Sequence, residues 1–185
     1  MTQISASDPT HPCPEPPVVT CAGGVLRLVA VTSANLMATL ALEVHPVQRD
    51  FVASTAESLA ECYVYPRDIP RLALLDETPV GFVLVRCGEP EDGKGRRFFL
   101  ERLLVDRVHQ GRGIGRALID LVIDWAARFE PRPEVVVLGV VPGNIVARGL
   151  YERMGFEPTG EVRQGEAVME RALAPHPVAA RAGRA

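Results

Sequence analysis

Apolar and polar positions change their period several times along the chain, and each change marks an element. Val25-Leu26-Arg27-Leu28-Val29 has the apolar density of a strand. Ser33 is placed to cap a helix running to about Glu43, and Ser54 to Glu61 sets cap-type residues before Glu, so a second helix is expected to end near Tyr63. Arg71 to Leu75 and Val80 to Val85 flank Asp76-Glu77-Thr78-Pro79 and read as a hairpin. After the turn-rich Gly88 to Gly95, Arg96 to Val105 is the next strand. A glycine-rich turn leads into the amphipathic stretch Ala117 to Trp125. A strand from Glu134 to Val140, a helix begun by Asn144 and a closing strand pair around Gln164-Gly165 complete the order β-αα-βββ-α-β-α-ββ. The fold class predicted is α/β with one mixed sheet, not a doubly wound one.

The turn Gln110-Gly111-Arg112-Gly113-Ile114-Gly115 comes after Leu103-Leu104-Val105 and opens a helix. Three glycines at alternate positions leave its backbone bare, so its N–H groups can close on a diphosphate while the helix N-terminus adds partial positive charge. A dinucleotide fingerprint fails in both frames, because Arg116 or Leu118 stands where the last glycine is needed, and the Gly-Lys-Ser/Thr of a phosphate-binding P-loop is absent. Further on, Asn144 is a good helix cap and Gly155 suits a left-handed exit. Ala147, Leu150, Tyr151 and Met154 between them share one helix face.

The order Gln-x-x-Gly-x-Gly, at Gln110, Gly113 and Gly115, resembles the acyl-CoA pyrophosphate loop of the GNAT family of N-acetyltransferases. Asn144 to Phe156 resembles the family's N-x-x-A-x-x-L-Y-x-x-x-G-F, and the two motifs stand in the family's order and separation. The resemblance covers residues 25–173 and implies the single GNAT fold with acetyl-CoA as cosubstrate. It implies contacts to that cosubstrate from Leu103, Leu104, Val105, Gln110, Gly111, Arg112, Gly113, Ile114, Gly115, Arg116 and Asn144, with Tyr151 as the acid near the sulfur. Val44 to Ala53, Ser58 to Glu61, Thr159-Gly160-Glu161 and Gly165-Glu166 resemble the bacterial diamine and spermine/spermidine acetyltransferase branch, which implies a small polyamine or diamine acceptor.

Composition narrows the remaining classes. The 185 residues fit one domain with tails, 47% hydrophobic content matches an ordinary globule, and a net charge of −3 with both signs interspersed argues against a nucleic-acid binder or a polybasic membrane anchor. Residues 1–24, with five prolines between Pro9 and Pro17, are expected to form an extended or disordered arm, and residues 174–185 a flexible tail. Cys13, Cys21, Cys62 and Cys87 make no metal-site or redox spacing, so reduced cysteines and no metal are expected. The amino terminus lacks signal-peptide character and no apolar run reaches ~18 residues, so a cytoplasmic location is expected. Family members often pair, which is compatible with a homodimer.

Acetyl transfer needs a neutral amine, yet a primary amine with a pKa of about 10 is almost wholly protonated near neutrality, so a base is required. Strand alternation puts Glu101, Leu103 and Val105 on one face, with Glu101 roughly 13 Å behind Val105 by strand rise. Three roles are open for Glu101: base, electrostatic anchor for a cationic substrate, or cross-strand partner of an arginine. Arg102, Arg107, Arg112 and Arg116 gather near the loop, either as a solvated face or, for Arg112 and Arg116, as phosphate contacts. Asp50, Glu57, Glu61, Tyr63 and Tyr65 are candidates for an acceptor pocket, whereas His45 and His109 are expected to be structural or exposed. Competing readings are acetylation of an aminoglycoside, an amino acid or a protein N-terminus, and a non-catalytic acyl-CoA-binding sensor.

Overall fold

The computed structural model describes residues 13–88 and 95–174; the remainder of the expected arm, of the Gly88–Gly95 turn and of the tail lies outside them. Eight strands form one sheet in the order β1-β2-β3-β4-β5-β6-β8-β7. These are β1 (Val18–Cys21), β2 (Gly24–Ala30), β3 (Asp68–Leu75), β4 (Thr78–Cys87), β5 (Arg97–Val105), β6 (Val135–Val140), β7 (Glu157–Arg163) and β8 (Glu166–Ala172). All neighbours are antiparallel except β5 and β6. The helices are α1 (Leu36–Leu40), α2 (Thr55–Val64), α3 (Ile114–Ala126) and α4 (Ile145–Arg153).

The sheet separates two cores. On one side α3 buries Ile114, Leu118, Leu121, Val122 and Trp125 against Val83, Val85, Phe98 and Leu100, while Arg116, Asp120 and Asp124 face solvent. That three- and four-residue spacing is the helical period expected from the sequence, and each fully buried large side chain contributes about 1.5–3 kcal/mol. On the other side Leu42, Leu72, Phe82, Leu84 and Leu104 pack with Leu59 and Cys62 of α2. Ser54 and Glu57 form a reciprocal capping box at the start of α2, which satisfies two of its free N–H groups.

Two expectations need correction. Within the described residues, the segment before Gly24 is not a free arm. Val18–Cys21 is a sheet strand paired with β2, and Trp125 Nε1 donates to the Pro14 carbonyl at 2.7 Å. Burial of the indole leaves its N–H in need of an acceptor, and a proline carbonyl supplies one. The helix expected from Ser33 to Glu43 is only α1, because the Asn35 side chain turns back to accept from the Thr32 N–H and donate to the Ala30 carbonyl.

The parallel pair opens a gap in the sheet. Hydrogen-bonded register between β5 and β6 runs from Arg97 opposite Val135 to Leu100 opposite Leu138 and stops there. Beyond it, Gly139 and Val140 pair with β8 and Leu103 to Val105 pair with β4. The two strands therefore part, and one edge of the Glu101–Val105 main chain is left without a strand partner.

Candidate active site

A cavity of about 550 Å³ fills the gap where β5 and β6 part. Its walls include Leu103, Leu104 and Val105 from β5, Gly111 and Gly113 to Arg116 from the turn and α3, and Asn144, Leu150 and Tyr151 from α4. Leu104 itself is buried in the α2-side core, so it offers the cavity its main chain. Ile114 is likewise buried in the α3-side core.

The turn has the conformation its glycines allow. Gly111 and Gly113 have φ of 75° and 80°, left-handed values that a side chain would strain, and Gly113 is the residue from which α3 starts. The first helical bond runs from the Ala117 N–H to the Gly113 carbonyl, leaving the N–H groups of Ile114, Gly115 and Arg116 without intrahelical acceptors. Gly115 is ordinary helix, and a Cβ there would meet Val105 and Leu150 at 3.7 and 3.8 Å. Gln110 Nε2 donates to the Val105 carbonyl at 3.0 Å and to Gln48 Oε1 at 2.9 Å, tying the turn to the strand end and to the segment after Pro46. Open N–H groups at a helix start beside a strand edge suit a diphosphate joined to an amide-rich arm. The donor set fits acetyl-CoA.

The arginines divide. Arg116 lines the cavity with an exposed side chain, whereas Arg112 approaches His109 Nδ1 at 3.2 Å and is not among the lining residues. Arg107 pairs with Glu43 at 2.8 Å, and Arg102 pairs with Glu61 at 3.1 Å. Asn144 caps α4, its Oδ1 accepting from the Ala147 N–H at 3.2 Å, and lines the cavity as well. Tyr151 lies against Phe156 with ring centroids 5.9 Å apart. Burial, reinforced by the negative charge of Glu166, pushes its phenol up to about 12.

Glu101 departs from the expected alternation. In the β4–β5 register Leu84 faces Arg102 and Val85 faces Leu100, so Glu101 is the extra residue of a bulge. Leu100 consequently belongs to the α3-side core and Leu104 to the opposite one, although unbroken alternation would put both on one face. Leu103 and Val105 pack toward α3, while Glu101 Oε1 meets Arg86 Nη2 at 3.0 Å. Arg86 is also held by Asp68, buried beside it, and lies over the Tyr65 ring at the end of α2. Burial raises the Glu101 carboxyl above its ordinary range, with the Arg86 charge opposing but not cancelling that rise. Cross-strand pairing with an arginine, one of its three expected roles, is present.

A second cavity of about 270 Å³ adjoins the first and is lined by Glu61, Tyr65, Arg86, Phe99, Arg163 and Gln164 among others. Leu100, Glu101, Arg102, Gly139 and Glu166 line both. Of the acceptor candidates, Glu61 and Tyr65 are here, and Asp50 lines the larger cavity. Glu57 is engaged by Ser54, and Tyr63 is 84% exposed and lines neither cavity. Sequence reasoning missed Arg86, Phe99, Gly139, Arg163 and the placement of Glu166. Only Gly139 carried a signal: a glycine inside an apolar strand marks a close approach, and a Cβ there would overlap the Glu166 carboxylate.

The family description "Acetyltransferase (GNAT) family" matches residues 36–156. The chain is 31% identical over 154 residues to the spermine/spermidine N(1)-acetyltransferase of Bacillus subtilis strain 168, covering 80% of this chain and 99% of that protein. In architecture it is similar to the GNAT domain of S. lividans PAT, with TM-score 0.67, 16% identity, and coverage of 85% of this chain and 97% of that one. It is also similar to a GNAT-family acetyltransferase from Listeria monocytogenes, with TM-score 0.63, 13% identity, and coverage of 85% and 100%.

Proposed function

We propose a polyamine-like primary amine as the acceptor of this chain, which belongs to the GNAT acetyltransferase family and transfers acetyl from acetyl-CoA to an amine. The observation that carries the acceptor reading is the smaller cavity, where Glu61 and Glu101 are paired with Arg102 and Arg86 while Glu166, which no ion pair engages among the described residues, suits an ammonium group. The likeness to the spermine/spermidine enzyme supports the same class.

In this reading the cosubstrate lies in the larger cavity, its diphosphate on the main-chain N–H groups at the start of α3 and its pantetheine arm along Leu103 to Val105 and Asn144. The amine enters from the smaller cavity and attacks directly in a ternary complex. Glu101, its carboxyl raised by burial, accepts the ammonium proton directly or through one water. A main-chain N–H on the unpaired edge of β5 donates to the acetyl oxygen as negative charge develops there. Tyr151 acts as a hydrogen-bond donor to the departing sulfur. A phenol near 12 is a weaker acid than a thiol near 8.5 by about 3.5 units, so outright proton transfer would be uphill by about 5 kcal/mol.

One observation favours a second reading. Arg163 lies over the Phe99 ring at the smaller cavity, and among the described residues no carboxylate pairs with it. A free guanidinium suits an acceptor that carries its own carboxylate, such as an amino acid. Thiol release from acetyl-CoA across polyamines, amino acids and an aminoglycoside tests these readings. The polyamine reading expects the highest kcat/KM with spermidine or a diamine. An amino acid preferred over every polyamine overturns it, and acetyl-CoA binding without thiol release on any amine favours a sensor.

A further inference from the structure

The two carboxylates at the joint between the cavities are not equivalent. Glu101 is committed to Arg86, Arg86 is further held by Asp68, and Arg102 is held by Glu61. Glu166 is half-buried, and among the described residues it has neither a hydrogen-bond donor nor an ion-pair partner. It starts β8 and pairs in register with Arg163 across the β7–β8 turn, yet their side chains form no ion pair. Its carboxylate instead lies over Gly139, in the space that a Cβ at that position would fill. From there its charge reaches Tyr151 in the larger cavity.

A carboxylate with no ion-pair partner at the joint has acceptor oxygens to offer a cation. An amine passing from the smaller cavity toward Tyr151 crosses this joint and presents three N–H donors as an ammonium. We propose that Glu166 is the residue that receives the reacting ammonium group of the acceptor, and that Gly139 is the notch that lets its carboxylate reach the joint. Glu101, adjacent and paired with Arg86 through one oxygen, then takes the proton from a nitrogen already held. The assignment rests on the polyamine acceptor proposed above and deepens it. It makes residue 139 a specificity position, since any side chain there displaces the ammonium-binding carboxylate.

Calorimetric titration of spermidine into the full chain saturated with CoA tests this, with CoA binding to each variant measured separately. Glu166→Gln is expected to weaken spermidine at least tenfold while the CoA Kd stays within twofold of the parent. Gly139→Ala keeps the charge but moves it, and is expected to reproduce the same selective loss. Unchanged spermidine affinity in Glu166→Gln overturns the assignment alone, provided the parent acetylates spermidine. A parallel loss of CoA binding in both variants overturns it in favour of a structural role. A parent that does not acetylate spermidine overturns the acceptor reading and this assignment with it.

Discussion

In the proposed reading the cosubstrate half of the cleft centres on the main-chain N–H groups of a glycine-rich turn and on a strand edge, with Asn144 and Arg116 beside them, whereas the acceptor half is marked by charged side chains delivered by α2, β4, β5 and the β7–β8 hairpin. The difference bears on how each half can change. Main-chain N–H groups at a helix start persist through most substitutions, so the first half depends mainly on backbone conformation. The second half depends on which arginine neutralises which carboxylate. With Asp68, Glu61, Glu101 and Glu166 set against Arg86, Arg102 and Arg163, one exchange reverses the local charge balance. A fixed cosubstrate site beside an adjustable acceptor site is what one reaction with variable acceptors requires.

The sharpest way to break this contrast is at the backbone of the first half. Gly113→Val is expected to abolish measurable acetyl-CoA binding in calorimetry. The neighbourhood of residue 113 is open, so the cause is not a clash; a β-branched residue at φ 80° is strained by about 1–3 kcal/mol and pulls the turn out of shape. Gly115→Ala is the control: its new methyl meets Val105 and Leu150 at normal packing distance, so binding should persist. Equal affinity for both variants would mean that the left-handed turn does not hold the cosubstrate.

The next effect belongs to the acceptor side. Glu101→Gln should lower kcat/KM by about 100-fold, the usual scale for a lost general base. Because burial raises the Glu101 carboxyl, kcat/KM in the parent should rise with pH through a value above the ordinary carboxylate range, and that acidic limb should vanish in the variant. Stability moves in the opposite sense. A carboxyl raised on folding contributes most below its unfolded pKa, and the contribution is lost as pH rises through the folded value. At neutral pH the amide variant should therefore hold or raise the Tm, with Arg86 keeping Asp68. A limb that survives in Glu101→Gln removes Glu101 as the base.

Between the halves stands Tyr151. Tyr151→Phe should reduce kcat about tenfold and leave the acetyl-CoA Kd nearly unchanged, since only a hydrogen bond to the departing sulfur is lost. Unaltered turnover would leave Tyr151 as packing beside Phe156.

Legibility in the chain divides along the same line. The turn from Gln110 to Gly115 and the Asn144 cap are local, because a left-handed glycine or a capping side chain shapes the backbone within three or four residues of itself. The order of strands and helices along the chain after Gly24 was legible from strand-like runs, caps and turn residues. β1 was not, since the prolines before it signal a loop while Trp125, which holds the Pro14 carbonyl of that segment, lies on α3. The bulge at Glu101 was equally hidden, because it is a mismatch between two strands and leaves no mark on either one alone. The acceptor half required knowing that Arg86, Glu101 and Glu166 converge, and that convergence is tertiary.

The smallest expected effect discriminates the two acceptor readings most directly. Arg163 is exposed, so its influence is screened and should be worth no more than about 1 kcal/mol, roughly fivefold in affinity. Its sign is informative where its size is not. For a polyamine, Arg163→Gln removes a like charge from the mouth of the smaller cavity, so the KM for spermidine should fall two- to fivefold at low salt and the gain should shrink as salt is added. For an amino acid, the same substitution deletes the carboxylate's partner, and the acceptor KM should rise by a similar factor. Acetyl-CoA affinity should not respond in either case, because Arg163 lines only the smaller cavity. A shift in the acetyl-CoA Kd would show that the two halves are coupled, and the separation of backbone-built from charge-built sites would then fail.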